Sequence, residues 1–194
     1  MYHLLTRVAS AMAILGALVL SFLIIMTCVS VLGRELNSVL NSSFMQAYVP
    51  GLANTLLDLG IGPVLGDFEL LENMMPFAIF AFLPLAQIGS AHATVDVFTS
   101  TFPRSVLAWM RAVTEVVFAA VLIVFAFKLF QGMQAKMRYG ETTYLIQFPV
   151  WWAYAAAFCA SVVAALVGCS MALLCLLAAT RGRSIEPGPG ETQE

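Results

Sequence analysis

The sequence predicts an all-α integral membrane protein, with four transmembrane helices and an interfacial amphipathic helix between the first and second. Of its 194 residues, 61% are hydrophobic and only 10% charged, too few polar side chains to clothe a soluble globule of this length. Charges are also unevenly spread: none occurs between Arg7 and Arg34, between Glu72 and Asp96, or between Glu141 and Arg181. Each gap holds a run of about 20 apolar residues, enough to cross a hydrocarbon core of roughly 30 Å. Residues 1–180 therefore read as one transmembrane domain, and 181–194 ("RGRSIEPGPGETQE") as a tail disordered by composition.

The first span covers about 8–32 and is closed by Gly33 and Arg34. It is too long for a signal peptide and has no A-x-A-like cleavage site leading into a polar chain, so it reads as a retained anchor. Ala9, Ala13, Gly16 and Ala17 bring small residues to one side of it, where another helix could approach closely. Residues 35–66 are richer in turn formers. Within them Leu52, Leu56 and Leu59 recur at helical spacing, with Asn54 and Asp58 off that stripe. The pattern fits a short helix lying in the membrane interface, or else an extramembrane loop.

The second span, about 69–91, opens behind Asp67 as a candidate cap, with Glu69 and Glu72 in its first turns. The positive end of a helix favours anions there. Pro76 and Pro84 lie inside it and should bend it. Pro103 precedes the third span, about 105–130, whose end runs into the polar connection "KLFQGMQAKMRYGETT". The fourth span, about 149–179, begins behind Pro149 with Trp151, Trp152 and Tyr154, an aromatic cluster suited to anchoring at the headgroup level. Four spans put both termini on one side. That side carries Arg7, Arg104, Arg111, Arg181 and Arg183, against Arg34, Lys128, Lys136 and Arg138 opposite, so the charge bias only leans towards cytoplasmic termini.

Few residues here carry chemistry. His92 and Asp96, four apart in "QIGSAHATVDVF", could share a helix face and hold a metal. No third ligand, HExxH pattern or cysteine partner accompanies them, so a polar helix end or turn is the better reading. Glu115 is the acid deepest within a span, and Arg111 one turn earlier makes the two a candidate intramembrane ion pair rather than an ion path. The cysteines, Cys28, Cys159, Cys169 and Cys175, all lie in apolar runs and imply neither a disulfide framework nor a metal pair. With no nucleophile-base pair, phosphate loop or basic stripe, the residues point to no enzyme, no cofactor or metal, and no nucleic-acid partner.

Three segments in fixed order resemble one family, the small membrane subunit (DctQ-type) of tripartite ATP-independent periplasmic (TRAP) transporters. They are "GDFELLENMM" opening the second span, "PLAQIGSAHATVDVFTSTFP" before the third, and "GETTYLIQFPVWWAYA" opening the fourth. The resemblance covers most of residues 8–178 and marks Glu69, His92, Asp96, Gly140, Thr143, Pro149 and Trp152 as motif positions. Ser90 and Ala91 depart from its pattern, which often has a glycine or a basic residue before the histidine.

It implies a non-catalytic inner-membrane scaffold. The expected obligate partner is a large membrane subunit that moves organic acids by an elevator motion driven by an ion gradient, usually sodium. A soluble periplasmic binding protein delivers the acid. The alternatives are a four-span subunit of another carrier, such as a tricarboxylate type, a membrane assembly factor, or an intramembrane metalloenzyme using His92, Asp96 and a glutamate.

Overall fold

The structure, a computed structural model, describes residues 2–58, 60, 62–89 and 104–180. Among these residues there are six helices: α1 (Tyr2–Leu40), α2 (Ser43–Tyr48), α3 (Pro50–Asp58), α4 (Asp67–Ile88), α5 (Arg104–Tyr139) and α6 (Val150–Thr180). Four of them, α1, α4, α5 and α6, are long and apolar enough to cross a membrane. His92, Asp96 and the tail 181–194 lie outside the described residues.

Two of these helices outrun the apolar runs that announce them. The 39 residues of α1 make a rod of about 58 Å at 1.5 Å per residue, continuing past Gly33 to Leu40. Likewise α5 stays helical to Tyr139, through residues expected as a polar connection. Hydropathy marks where lipid ends; backbone geometry continues until a breaker intervenes, and for α5 that breaker is Gly140 at φ 61°.

Between the first two long helices lie two short ones where a single helix was expected. The break falls at Val49 (φ −141°, ψ 58°), which Pro50 excludes from helical backbone by steric contact. Ser42 caps α2, its hydroxyl accepting from the Met45 N–H at 3.4 Å. On α3, Ala53 is buried and Leu56 half-buried, while Asn54 and Asp58 are exposed as the pattern suggested. Leu59 and the side chain of Leu52 are not among the described parts.

Packing arranges the long helices as a row in the order α1, α4, α6, α5. Small residues make that possible. On α1, Ala9, Ala13 and Gly16 are buried and lead into Leu23, Met26 and Ser30 at intervals of three, four or seven; Ala17, expected among them, faces outward. A Cβ on Gly16 would stand 2.9 Å from that of Ala81, so only glycine allows this approach of α1 to α4. In α6, which like α4 lies inside the row, two stripes are buried, with Ala157, Ala160, Ser161, Ala164, Gly168 and Ala172 among them. Its neighbours pack on both sides through close backbone contact, the usual basis of helix association in lipid. Although α4 contains Pro76 and Pro84, it is assigned as one uninterrupted helix.

Candidate functional site

The start of α4 holds the molecule together at the face opposite Tyr2 and Thr180, the outer ends of α1 and α6. Gly66, at φ 78°, occupies the cap position that Asp67 was expected to fill, and makes no side-chain cap bond. Asp67 is thereby freed to face α1. Its Oδ2 accepts from the Ser30 hydroxyl at 2.6 Å and from the Arg34 guanidinium at 3.3 Å, while Oδ1 accepts from the Phe68 N–H at 2.8 Å. Ser30 in turn accepts from the Val64 N–H at 3.2 Å. Arg34 also lies over the Phe68 ring, 5.3 Å from its centroid. Beside this cluster a Cβ on Gly33 would come within 2.2 Å of the Gly62 carbonyl oxygen, so α1 and the 62–66 linker touch backbone to backbone.

Half a turn on, Glu69 faces the other way, into the connection between α5 and α6. Its two carboxylate oxygens accept from consecutive backbone amides, Leu145 N–H at 2.7 Å and Ile146 N–H at 3.1 Å. Charge-assisted bonds of this kind are stronger than neutral ones, and here they fix a loop to a helix distant in sequence. The loop is closed by its own bonds as well. Thr143 N–H donates to the Phe148 carbonyl at 2.9 Å, and the Thr143 hydroxyl accepts from the Phe148 N–H at 3.0 Å.

At either end of this loop sit two further motif positions. Gly140 takes the left-handed cap conformation of α5, with Glu141 N–H bonded back to the Lys136 carbonyl at 3.3 Å, the pattern of a glycine-terminated helix. Lys136 and Glu141 also form an ion pair. Pro149 opens α6, its carbonyl accepting from Trp152 N–H at 3.1 Å.

Glu69, Gly140, Thr143, Pro149 and the Trp152 backbone thus belong to one clamp. Trp151 and Trp152 stack with ring centroids 5.1 Å apart, Trp152 being exposed and Trp151 half-buried. Tyr154 covers Gly132 of α5, where a Cβ would meet its ring at 2.7 Å. Below the clamp lies a cavity of about 520 Å³ between α4, α5 and α6, with Glu72, Asn73 and Lys136 on its polar wall and Pro76, Ala153 and Ala157 on its apolar one.

A second polar cluster lies near the other end of the row. Glu115 is 5% exposed and Gln87 fully buried, and Gln87 Nε2 donates to Glu115 Oε2 at 2.9 Å. The Gln87 amide lies against Gly168 of α6, where a Cβ would stand 3.1 Å from Oε1. Among the described residues Gln87 Oε1 has no hydrogen-bond partner. Arg111 is half-buried one turn before Glu115, and both are close enough to influence the buried Cys175 of α6.

Sequence reasoning marked Asp67, Glu69, Thr143 and the Arg111–Glu115 pair but not Ser30 and Arg34 beside Asp67, the loop amides held by Glu69, or Gln87 beside Glu115. Ser30 with Arg34, four apart at the polar end of the first span, and Gln87, a lone amide in an apolar run, were the available signals. No group of three metal-ligating side chains occurs among the described residues. The carboxylates at these two clusters that have bonding partners hold backbone amides, a hydroxyl, cations or an amide side chain, an arrangement that fastens helices together.

The family model for the DctQ component of tripartite ATP-independent periplasmic transporters matches residues 23–179. No curated protein and no solved structure matches the chain.

Proposed function

This chain belongs to the family of DctQ components of tripartite ATP-independent periplasmic transporters, and we infer that it serves as their small, non-catalytic membrane subunit. In this reading it sits in a bacterial inner membrane with both termini cytoplasmic. It packs against a large permease subunit as a scaffold, while a periplasmic binding protein supplies an organic acid and an ion gradient drives uptake. The same reading makes Arg111 the counter-charge of Glu115.

One observation carries it: the polar groups on the inner faces are spent on joining helices. Ser30, Asp67 and Arg34 tie α1 to α4, Glu69 ties α4 to the α5–α6 loop, and Gln87 ties α4 to α5. A solute path needs polar groups lining an open cavity through the bilayer. What this row of helices offers is a rigid, largely apolar surface.

Reconstitution in liposomes with a sodium gradient and the cognate binding protein tests the reading. Uptake is expected only when both membrane subunits are present, and uptake by this chain alone would sink it. Orientation has its own measurement: reporter fusions at Thr6 and Glu194 are expected to report cytoplasm at both ends, and a periplasmic signal from either would reverse the assignment.

A further inference from the structure

The last three turns of α5 present an outer face that does not suit lipid. Lys128, Gln131, Gln134 and Arg138 are all exposed, and at 100° per residue they fall within an arc of about 120°. Among the described residues none of the four makes a side-chain hydrogen bond or ion pair within the chain. The inward side of the same turns is occupied: Lys136 pairs with Glu141, and Gly132 packs under the Tyr154 ring.

Contacts across the row give the depth of this face. Phe125 of α5 meets Phe80 of α4, with centroids 6.0 Å apart. The neighbouring Ala81 meets Gly16 of α1, and Ser30 meets Asp67. Lys128, one turn past Phe125, is therefore level with about Leu20, the middle of the apolar run of α1, and Arg138 with about Ser30. Between those levels α1 turns outward Phe22 at 55%, Ile25 at 64% and Val29 at 54% exposure. One helix of the row is thus dressed for hydrocarbon at the depth where another shows two cations and two amides.

Snorkelling does not reconcile the two. A lysine stem reaches several ångströms towards the headgroups, but the short amides of Gln131 and Gln134 cannot. Ten residues of helix separate Arg138 from Lys128, about 15 Å of depth. A lipid phosphate near Arg138 is consequently out of reach of Lys128.

We propose that this face is where α5 docks a protein bearing carboxylates and other acceptors at membrane depth, namely the large permease subunit. The proposal rests on the subunit reading above and adds to it the contact face and the chemistry of its complement.

Two measurements test it, both on the full chain co-expressed with a tagged large subunit. A benzophenone amino acid placed at Gln131 or Gln134 is expected to crosslink to the large subunit. Converting Lys128, Gln131, Gln134 and Arg138 together to leucine is expected to leave the isolated chain folded, as judged by thermal unfolding in detergent, and to lose most of the co-purifying partner. Adducts to lipid alone, or no adduct while the wild-type pair still co-purifies, would overturn the face and leave the subunit reading intact. Undiminished co-purification of a folded leucine variant would do the same. Failure of the wild-type chains to co-purify would overturn the subunit reading itself, and the face with it. The crosslinking arm decides the matter should the fourfold variant not fold.

Discussion

Gly66→Val is expected to detach the α5–α6 loop from α4 and to cost about 2–5 kcal/mol, which combines about 1–2 for a left-handed backbone with about 1–3 for overpacking. Both parts are visible at this residue. Its φ of 78° is open to glycine and strained for a β-branched residue. Any Cβ would also lie 2.3 Å from Ile146 Cγ1, and Ile146 supplies one of the two amides that Glu69 holds.

Displacing Ile146 therefore pulls on the clamp itself. Hydrogen exchange at the Leu145 and Ile146 amides reports this directly, with protection expected to collapse locally while the α1–α4 contacts persist. Gly66→Asn separates the two causes, since asparagine tolerates the left-handed region but still meets Ile146. Adding Ile146→Ala should recover the steric share alone. Unchanged protection of both amides in Gly66→Val would show that Glu69 does not depend on this approach.

The contrast between what the sequence discloses and what it conceals follows from the medium. In lipid, length and hydropathy decide the spans, and the charge-free gaps after Arg7, Glu72 and Glu141 were enough to place three of the four. Where the helices stop was less legible, because polar residues such as Gln131 and Lys136 are good helix formers and only a left-handed glycine at 140 ends α5. Side-chain function was legible by position but not by partner. Glu69 could be marked as an acid at a helix start, yet nothing local says that it reaches a loop 76 residues away. Asp67 read as a cap because caps are local, whereas its actual bonds to Ser30 and Arg34 come from tertiary packing across a glycine-lined contact.

The buried pair of Gln87 and Glu115 should show the largest non-additivity in the molecule. Gln87→Leu removes an amide donor from a carboxylate that is 5% exposed, and a hydrogen bond to a charged group is worth about 1.5–3 kcal/mol. Glu115→Leu strands the amide instead, a neutral group, at about 1–3 kcal/mol. The double leucine variant leaves neither the amide nor the carboxylate unpaired and is expected to be more stable than the sum of the single changes predicts, keeping mainly the cost of Arg111 without its counter-charge, provided α6 can still pack its Gly168 against the new side chain.

The size of the coupling then identifies the bond. Interhelical hydrogen bonds in membranes average about 0.6 kcal/mol and reach about 1.7 in double-mutant cycles. A value above that ceiling is expected here, because the acceptor is a carboxylate and the bond is charge-assisted. Glu115→Gln provides the reference: it keeps an acceptor of the same shape and should bring the coupling with Gln87 down into the ordinary range. Additive single-mutant effects, with the double variant as unstable as their sum, would mean that Gln87 and Glu115 sit side by side without holding α4 to α5.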